Sequence, residues 1–435
     1  MVFRAIRSLS NWLLVTLAVI YLALGNVPRF LPIGAGKSGI LVTELLFYFF
    51  ALVFFLAHSS KFALPAEVII GSLVVLGSYF VGALKSGYDV TALLYGLRFI
   101  LLMLGSFALG VALRQRYGSR MDLALSRLFL YPLIVSTLIG WALYFLFPRS
   151  EQLWLALRLY GIEFAGDPHA HRLLSSYFDP NYYSAIAVFG VVLALNLYRV
   201  TQLRRYLMCA IFLIVSIFFS LSRSGIASLA MALIVLSLPH LRNIKVTKLS
   251  ILTGLAGVAA LFFSYPLYSE TIIRLMSRFF DTNLQYDGSS LARLRVAQLG
   301  LTAIRDNFFL GIGFNYVPSQ YETMTAFDSS VMQIIVTMGM IGGVTFLAMF
   351  AIFSVRSFRA SMLIDRSSDM REVVFGVAGY LIISVVFAAL FDNLFFYQFW
   401  FVPIFATITY LSGAGQRKEI PQGISPDMQI KAVAR

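Results

Sequence analysis

The sequence predicts an all-α integral membrane protein of about twelve transmembrane helices, and three observations carry the prediction. Of 435 residues, 59% are hydrophobic and only 12% charged, and the mean hydropathy is +0.83, far from the make-up of a soluble domain. Twelve apolar stretches are long enough to cross a bilayer. The basic residues gather in alternate short loops, as they do where loops are retained in the cytoplasm. Aromatic residues reach 15%, which suits lipid-facing surfaces and interfacial belts.

The first five spans fall at 11–25, 39–57, 66–84, 91–113 and 124–147, and form the unit 1–146. The first follows a short basic segment with Arg4 and Arg7. No small-residue cleavage site comes after it, so it is expected to stay as an anchor. A first outer segment covers 147–181. Spans six to nine, at 182–198, 206–221, 224–240 and 249–265, make up the unit 182–264.

A second outer segment, 265–330, is the longest polar interval of the chain. It holds five arginines (Arg274, Arg278, Arg293, Arg295, Arg305) and six carboxylates (Glu270, Asp281, Asp287, Asp306, Glu322, Asp328). Loops of this length tend to carry function. Inside it, Asp287-Gly288-Ser289-Ser290 supplies a turn and a capping hydroxyl, and Leu291 to Arg305 follows helical spacing. Leu294, Ala297, Leu301 and Ile304 share one face, while Arg295, Gln298, Thr302 and Arg305 share another. That pattern predicts an amphipathic helix along the membrane surface or over a cavity, its basic stripe in water. Gly311-Ile312-Gly313 then turns the chain back toward the membrane. Spans ten to twelve, at 331–355, 373–391 and 394–412, complete 331–412. The tail 413–435, rich in Gly, Pro, Gln and Lys, reads as disordered cytoplasm.

With twelve spans both termini share one side. That side collects 21 of the 34 Lys and Arg residues, among them Arg114, Arg116, Arg120 and Arg127, the Arg204-Arg205 pair, and Arg356, Arg359, Arg366 and Arg371. Eight of the other 13 lie in the two longest outer segments, where charge bias says little. Both termini are therefore expected in the cytoplasm, and 265–330 outside it. The formal charge of +14 is a topology signal that also attracts anionic membrane lipid. A nucleic-acid partner is not expected, since no soluble basic domain exists. The single cysteine, Cys209, rules out a disulfide framework and a cysteine metal site. His169 and His171 lack a clear third ligand, so no metal is expected. There is no Walker motif, no Gly-x-Ser-x-Gly and no dinucleotide fingerprint.

Four clusters lie on the outer side of this topology. In the first, from His171 to Ser184, Asp179-Pro180-Asn181 reads as a turn and helix start. Either it only caps the helix, or Arg172 and the freed N–H groups hold an anion, with Asn181, Tyr182 and the neighbouring Tyr and Ser residues suited to sugar hydroxyls. The second is Ser220-Leu221-Ser222-Arg223-Ser224-Gly225, where Arg223 either snorkels or serves a site. The third is Arg293 and Arg295 with Arg305, whose planar forks suit phosphate, unless they pair with nearby carboxylates. The fourth is Asp328-Ser329-Ser330, with Tyr321 and Glu322 upstream. These either cap a helix or supply a general base for a sugar hydroxyl. Asp392-Asn393 reads as a turn. Because the outer face lacks ATP, a transferase there needs a donor carrying its own activation, such as a polyprenyl-pyrophosphate-linked sugar.

At these clusters the chain resembles the O-antigen ligase/polymerase superfamily, which includes Wzy-type polysaccharide polymerases and WaaL-type ligases. The matching pieces are Arg172 with Ser176 to Asn181; Ser220 to Gly225; Arg293 with Ile304-Arg305-Asp306-Asn307 and Gly311-Ile312-Gly313-Phe314; and Gly339-Met340-Ile341-Gly342-Gly343. They cover roughly 170–345. The resemblance implies a GT-C-like architecture of about twelve helices, a large periplasmic loop over a cavity, and inverting glycosyl transfer without a metal or other cofactor. The donor would be a glycan on undecaprenyl pyrophosphate in the bacterial inner membrane. Carried over by position, Arg172 and Arg293 hold the pyrophosphate, with Arg295 able to trade places with Arg293 and Arg305 assisting. Ligases of the superfamily carry a His just before the span that ends in the Gly-rich piece. Here Phe327-Asp328-Ser329-Ser330 stands there, and no His follows His240. This favours a polymerase in which Asp328 or Glu322 activates the acceptor, a second lipid-linked repeat unit, with a chain-length regulator as a candidate partner. The rival readings are a ligase acting on lipid A–core and a transporter or flippase. The last would use charges inside spans, for which Glu44 and Arg98 are the main candidates: they either pair structurally or mark a lipid-tail groove.

Overall fold

Apolar runs of this length satisfy their backbone polar groups within one helix, as a hydrocarbon surrounding demands. A computed structural model shows that they do so here. It describes residues 2–30, 42–58, 64–118, 120–147, 152–153, 155, 172–238, 288–316, 329–364, 367–390 and 392–413. Among these the secondary structure is entirely helical. The helices are α1 (Val2–Leu24), α2 (Val42–His58), α3 (Ala66–Ser86), α4 (Val90–Tyr117), α5 (Met121–Leu146), α6 (Pro180–Thr201), α7 (Arg204–Phe219), α8 (Arg223–Ser237), α9 (Gly288–Asp306), α10 (Ser330–Ile364), α11 (Ser368–Leu390) and α12 (Gln398–Leu411). Six of them, α3, α4, α5, α6, α10 and α11, are long and apolar enough to cross a membrane. Shorter apolar helices fall at Ser8–Leu24, Val42–His58, Arg223–Ser237 and Gln398–Leu411. The ninth predicted span, 249–265, lies outside the described residues.

The layering follows side-chain exposure. α4, α6 and α12 form the middle: every residue of α12 is buried, and α4 packs along it. α3 and α10 turn much of their surface outward, with Leu73, Phe80, Ile341 and Val344 exposed, as lipid-facing positions are. Inside the bundle, rings interlock around Phe99, which lies against Phe314, Phe346, Phe396 and Phe401.

The bundle has two distinct ends. At one, Arg199 donates to Leu236 O (3.0 Å), Tyr410 donates to Gly118 O (3.1 Å), and Arg356 pairs with Glu67. This end carries Arg114, Arg116, Arg204 and Arg205, the clusters that set the predicted orientation. At the other end meet the C-termini of α1, α3, α5 and α7 and the N-termini of α4, α6, α8, α10 and α12. The four sequence clusters, where described, lie there.

Candidate functional site

Helix α6 starts where the sequence says. Asp179 takes extended backbone angles and its Oδ1 accepts from the amides of Asn181 (2.8 Å) and Tyr182 (3.0 Å), with Pro180 pre-set in the first turn. Ser222 caps α8 in the same manner, accepting from Gly225 N at 3.2 Å. Between these starts lies Arg172, only 8% exposed. Its Nε donates to Ser220 O (2.7 Å) and its Nη2 to Asn181 Oδ1 (2.8 Å). The first and second sequence clusters, 48 residues apart, are thus one site. A buried guanidinium bonded through both Nε and Nη2 keeps a fixed plane. Arg172 also lines a small cleft with Gly140, Leu143, Tyr144, Phe147, Leu153 and Leu174.

The segment behind Arg172 is a plug held by polar contacts. Leu173 N donates to Phe219 O (3.0 Å) and Asn26 Nδ2 to Tyr177 O (2.7 Å). Ser176 Oγ bonds Ser136 Oγ (2.7 Å) and Ala23 O (3.0 Å), and Tyr177 OH donates to Leu22 O (3.1 Å). Burial pushes the Tyr177 phenol above its ordinary value, so it stays a neutral donor. The expectation that this Tyr and Ser run serves sugar hydroxyls is therefore corrected. Ser175, Ser176, Tyr177, Tyr183 and Ser184 are buried, and the last four hydrogen-bond α1, α5 or their own helix. Asp179, Asn181 and Tyr182 remain partly open. Tyr182 stacks on Tyr397, centroids 4.0 Å apart and planes at 12°. Tyr397 also donates to Tyr177 O at 3.4 Å. Ser175, Phe178 and Leu221 all have positive φ here, strain of the kind that collects at functional sites.

Two of the pieces that carry the resemblance, Gly311 to Phe314 and Gly339 to Gly343, meet elsewhere, at a break in α10. Gly339 (φ 67°, ψ −179°) breaks α10, leaving the carbonyls of Val336 and Thr337 and the amides of Met340 and Ile341 without helical partners. The 308–313 stretch satisfies all four. Ile312 N donates to Val336 O (2.9 Å) and Gly313 N to Thr337 O (2.9 Å), while Met340 N donates to Phe308 O (2.8 Å) and Ile341 N to Phe309 O (3.2 Å). The two glycine-containing motifs are therefore a backbone joint, not a ligand cradle.

Arg295 and Arg305 lie exposed on α9, which packs on α10. Arg293 is on the same helix, its side chain outside the described residues. The helix itself is as predicted, and Arg295, Gln298, Thr302 and Arg305 are exposed. Its apolar face is as predicted only in part: Ile304 packs with Val296, Leu299 and Ala303 against Met332 and Val336, while Leu294 and Leu301 point outward. Arg223 opens α8 and is exposed. Glu322 and Asp328 lie outside the described residues. Next to Asp328, Ser329 caps α10, accepting from Met332 N (3.1 Å), and Ser330 accepts from Phe395 N (3.0 Å).

Sequence reasoning left the roles of Glu44 and Arg98 open; the structure pairs them. Glu44 is fully buried and takes both Arg98 Nε (2.6 Å) and Nη2 (2.7 Å). Tyr48 donates to the same carboxylate at 2.5 Å, and Arg98 Nη2 reaches Gln398 Oε1 at 2.7 Å. The pair ties α2 and α4 to the start of α12, one residue from Tyr397. Breaking a buried pair leaves an uncompensated charge; water reaching Arg98, 19% exposed, reduces the penalty here. Glu44→Leu alone should cost about 2–3 kcal/mol, and the double change with Arg98→Leu about 1 kcal/mol or less. Thermal midpoints in detergent would check this, and equal losses for both variants would refute it.

The helical bundle, six of whose described helices are long and apolar enough to cross a membrane, is that of a polytopic membrane protein with a buried arginine at one end. Residues 207–347, from α7 to the middle of α10, match the family model described as O-antigen ligase. That match supports the O-antigen ligase/polymerase superfamily for this chain. It spans the Ser220 turn, α9, the 311–314 piece and the Gly339 break, but not Arg172. No curated protein matches the chain. Among the described residues no group of three or more His, Cys, Asp or Glu is placed to hold a metal ion.

Proposed function

We propose that the protein is a twelve-span inner-membrane glycosyltransferase that polymerises undecaprenyl-pyrophosphate-linked repeat units at the periplasmic face, without a metal. The observation that carries this reading is the junction of Arg172 with the Ser220 turn and Asn181. It presents a buried, oriented cation beside two helix N-termini, a natural place for an anionic leaving group. The acceptor hydroxyl attacks the anomeric carbon as the bond to the pyrophosphate oxygen breaks. Arg172 and an arginine of α9 stabilise the charge gathering on that oxygen, and Asp328 or Glu322 takes the hydroxyl proton. Arg223, Asn181 and Tyr182 line the approach.

Polymerase is favoured over ligase because Asp328 stands where ligases of the superfamily carry His. A deletion strain tests the choice by the electrophoretic pattern of its surface polysaccharide. A single repeat unit on core is expected. Bare core with accumulated lipid-linked polymer would make the protein a ligase acting on lipid A–core, and an unchanged pattern would remove both readings.

A further inference from the structure

Phe308, Phe309 and Leu310 form the turn after α9, in an interval whose polarity suggests water. All three are exposed, Phe309 by 65%. Their position along the bundle is fixed by the joint with α10. Phe308 and Phe309 accept from Met340 and Ile341, which lie just past Gly339. Gly339 is nine residues beyond Ser330, the start of α10, and that is about 13 Å along a helix. The chain then returns toward the mouth of the bundle along α3. Phe314 N meets Ser78 O (3.3 Å), and Tyr316 OH accepts from Asp89 N (3.3 Å) at the cap of α4.

Five carbonyls of the 307–313 stretch are also closed off by protein donors. Asn307 O accepts from Gly311 N (2.9 Å), Phe308 O and Phe309 O from α10, Gly311 O from Lys85 Nζ (2.7 Å), and Gly313 O from Tyr316 N (3.2 Å). A loop in water has no need of such closure, because water supplies the bonds. Backbone beside hydrocarbon cannot do without it.

We infer that 288–316 is a re-entrant hairpin, descending as α9 and returning along α3, whose Phe308–Leu310 tip sits among the acyl chains of the bilayer. The partner of this apolar surface is lipid, level with Ile341, an exposed residue of α10. The hairpin thereby fixes the arginine-bearing helix α9 against α10. The inference is independent of the reaction proposed above.

The single cysteine makes the test direct. In a Cys209→Ser background, nitroxide labels at Phe309→Cys, Ile341→Cys and Arg204→Cys are compared in lipid nanodiscs, which leave both membrane faces open. The label at 309 should be relaxed by oxygen and shielded from a water-soluble nickel chelate, as at 341 and unlike 204. Chelate access as at 204 would overturn the hairpin. Shielding from both reagents would mean that protein covers the tip, and would overturn it equally. Leu310→Cys repeats the measurement should the label at 309 disturb folding.

Discussion

Replacing Gly311 by alanine should destabilise the protein by roughly 4 kcal/mol, a large effect for one methyl group. Gly311 has φ +72°, and a Cβ there would lie 2.4 Å from Gly339 N and 2.5 Å from Thr337 O. Both are backbone atoms that no side-chain rotation can move aside. The left-handed conformation itself costs alanine about 1–2 kcal/mol. The rest comes from the joint: if 311 moves away, Ile312 and Gly313 lose Val336 O and Thr337 O, and each unsatisfied buried group costs about 1–3 kcal/mol. Gly118 is the matched control. Its φ is +58° and ψ −121°, with nothing within 4 Å of the added Cβ, so Gly118→Ala should show only the conformational cost, about 1–3 kcal/mol. Thermal unfolding in one detergent compares the two. Equal shifts would mean that the joint does not hold α10 and the 308–313 stretch together.

That joint also shows what a sequence discloses and what it hides. The helices are legible because length and hydropathy decide them: α3, α4, α5, α6 and α11 fall within about five residues of their predicted spans, while α10 starts as predicted but runs on to Ile364, past the expected end at 355. So is the cap at Asp179, because capping chemistry is local. The orienting face of α9 was not legible. In a membrane protein the outward surface is as apolar as the core, so periodicity cannot tell Leu294 and Leu301, which face out, from Val296 and Leu299, which pack on α10. The pairing of motifs was hidden for another reason. Arg172 meets the Ser220 turn through a main-chain carbonyl, and Gly311 meets Gly339 through backbone alone, so no complementary side chains advertise either contact. The Tyr and Ser run at 175–184 shows the converse: hydroxyls that look like ligand for a sugar are consumed in fastening the plug to α1 and α5. Tyr397 and Gln398 lay beyond the reach of sequence, since their partners, Tyr182 and Arg98, come from distant helices.

Arg172→Ala should lower polymer formation by about 100- to 1000-fold, the usual loss when one preorganised donor to a developing anion is removed. Lipid-linked single units should accumulate. Alanine has a second effect, because Ser220 O and Asn181 Oδ1 lose their donor in a buried place, so folding stability must be followed alongside activity. Arg172→Lys separates the two contributions. Lysine keeps the charge and fills most of the volume, but one ammonium cannot both hold Ser220 O and Asn181 and present a planar fork to a pyrophosphate. If the arginine acts on the leaving group, the lysine variant should recover most of the thermal stability while polymer formation stays at least about tenfold down. Recovery of both together would reduce Arg172 to a fastening of the α6 and α8 starts. The leaving-group site would then have to be sought among the arginines of α9.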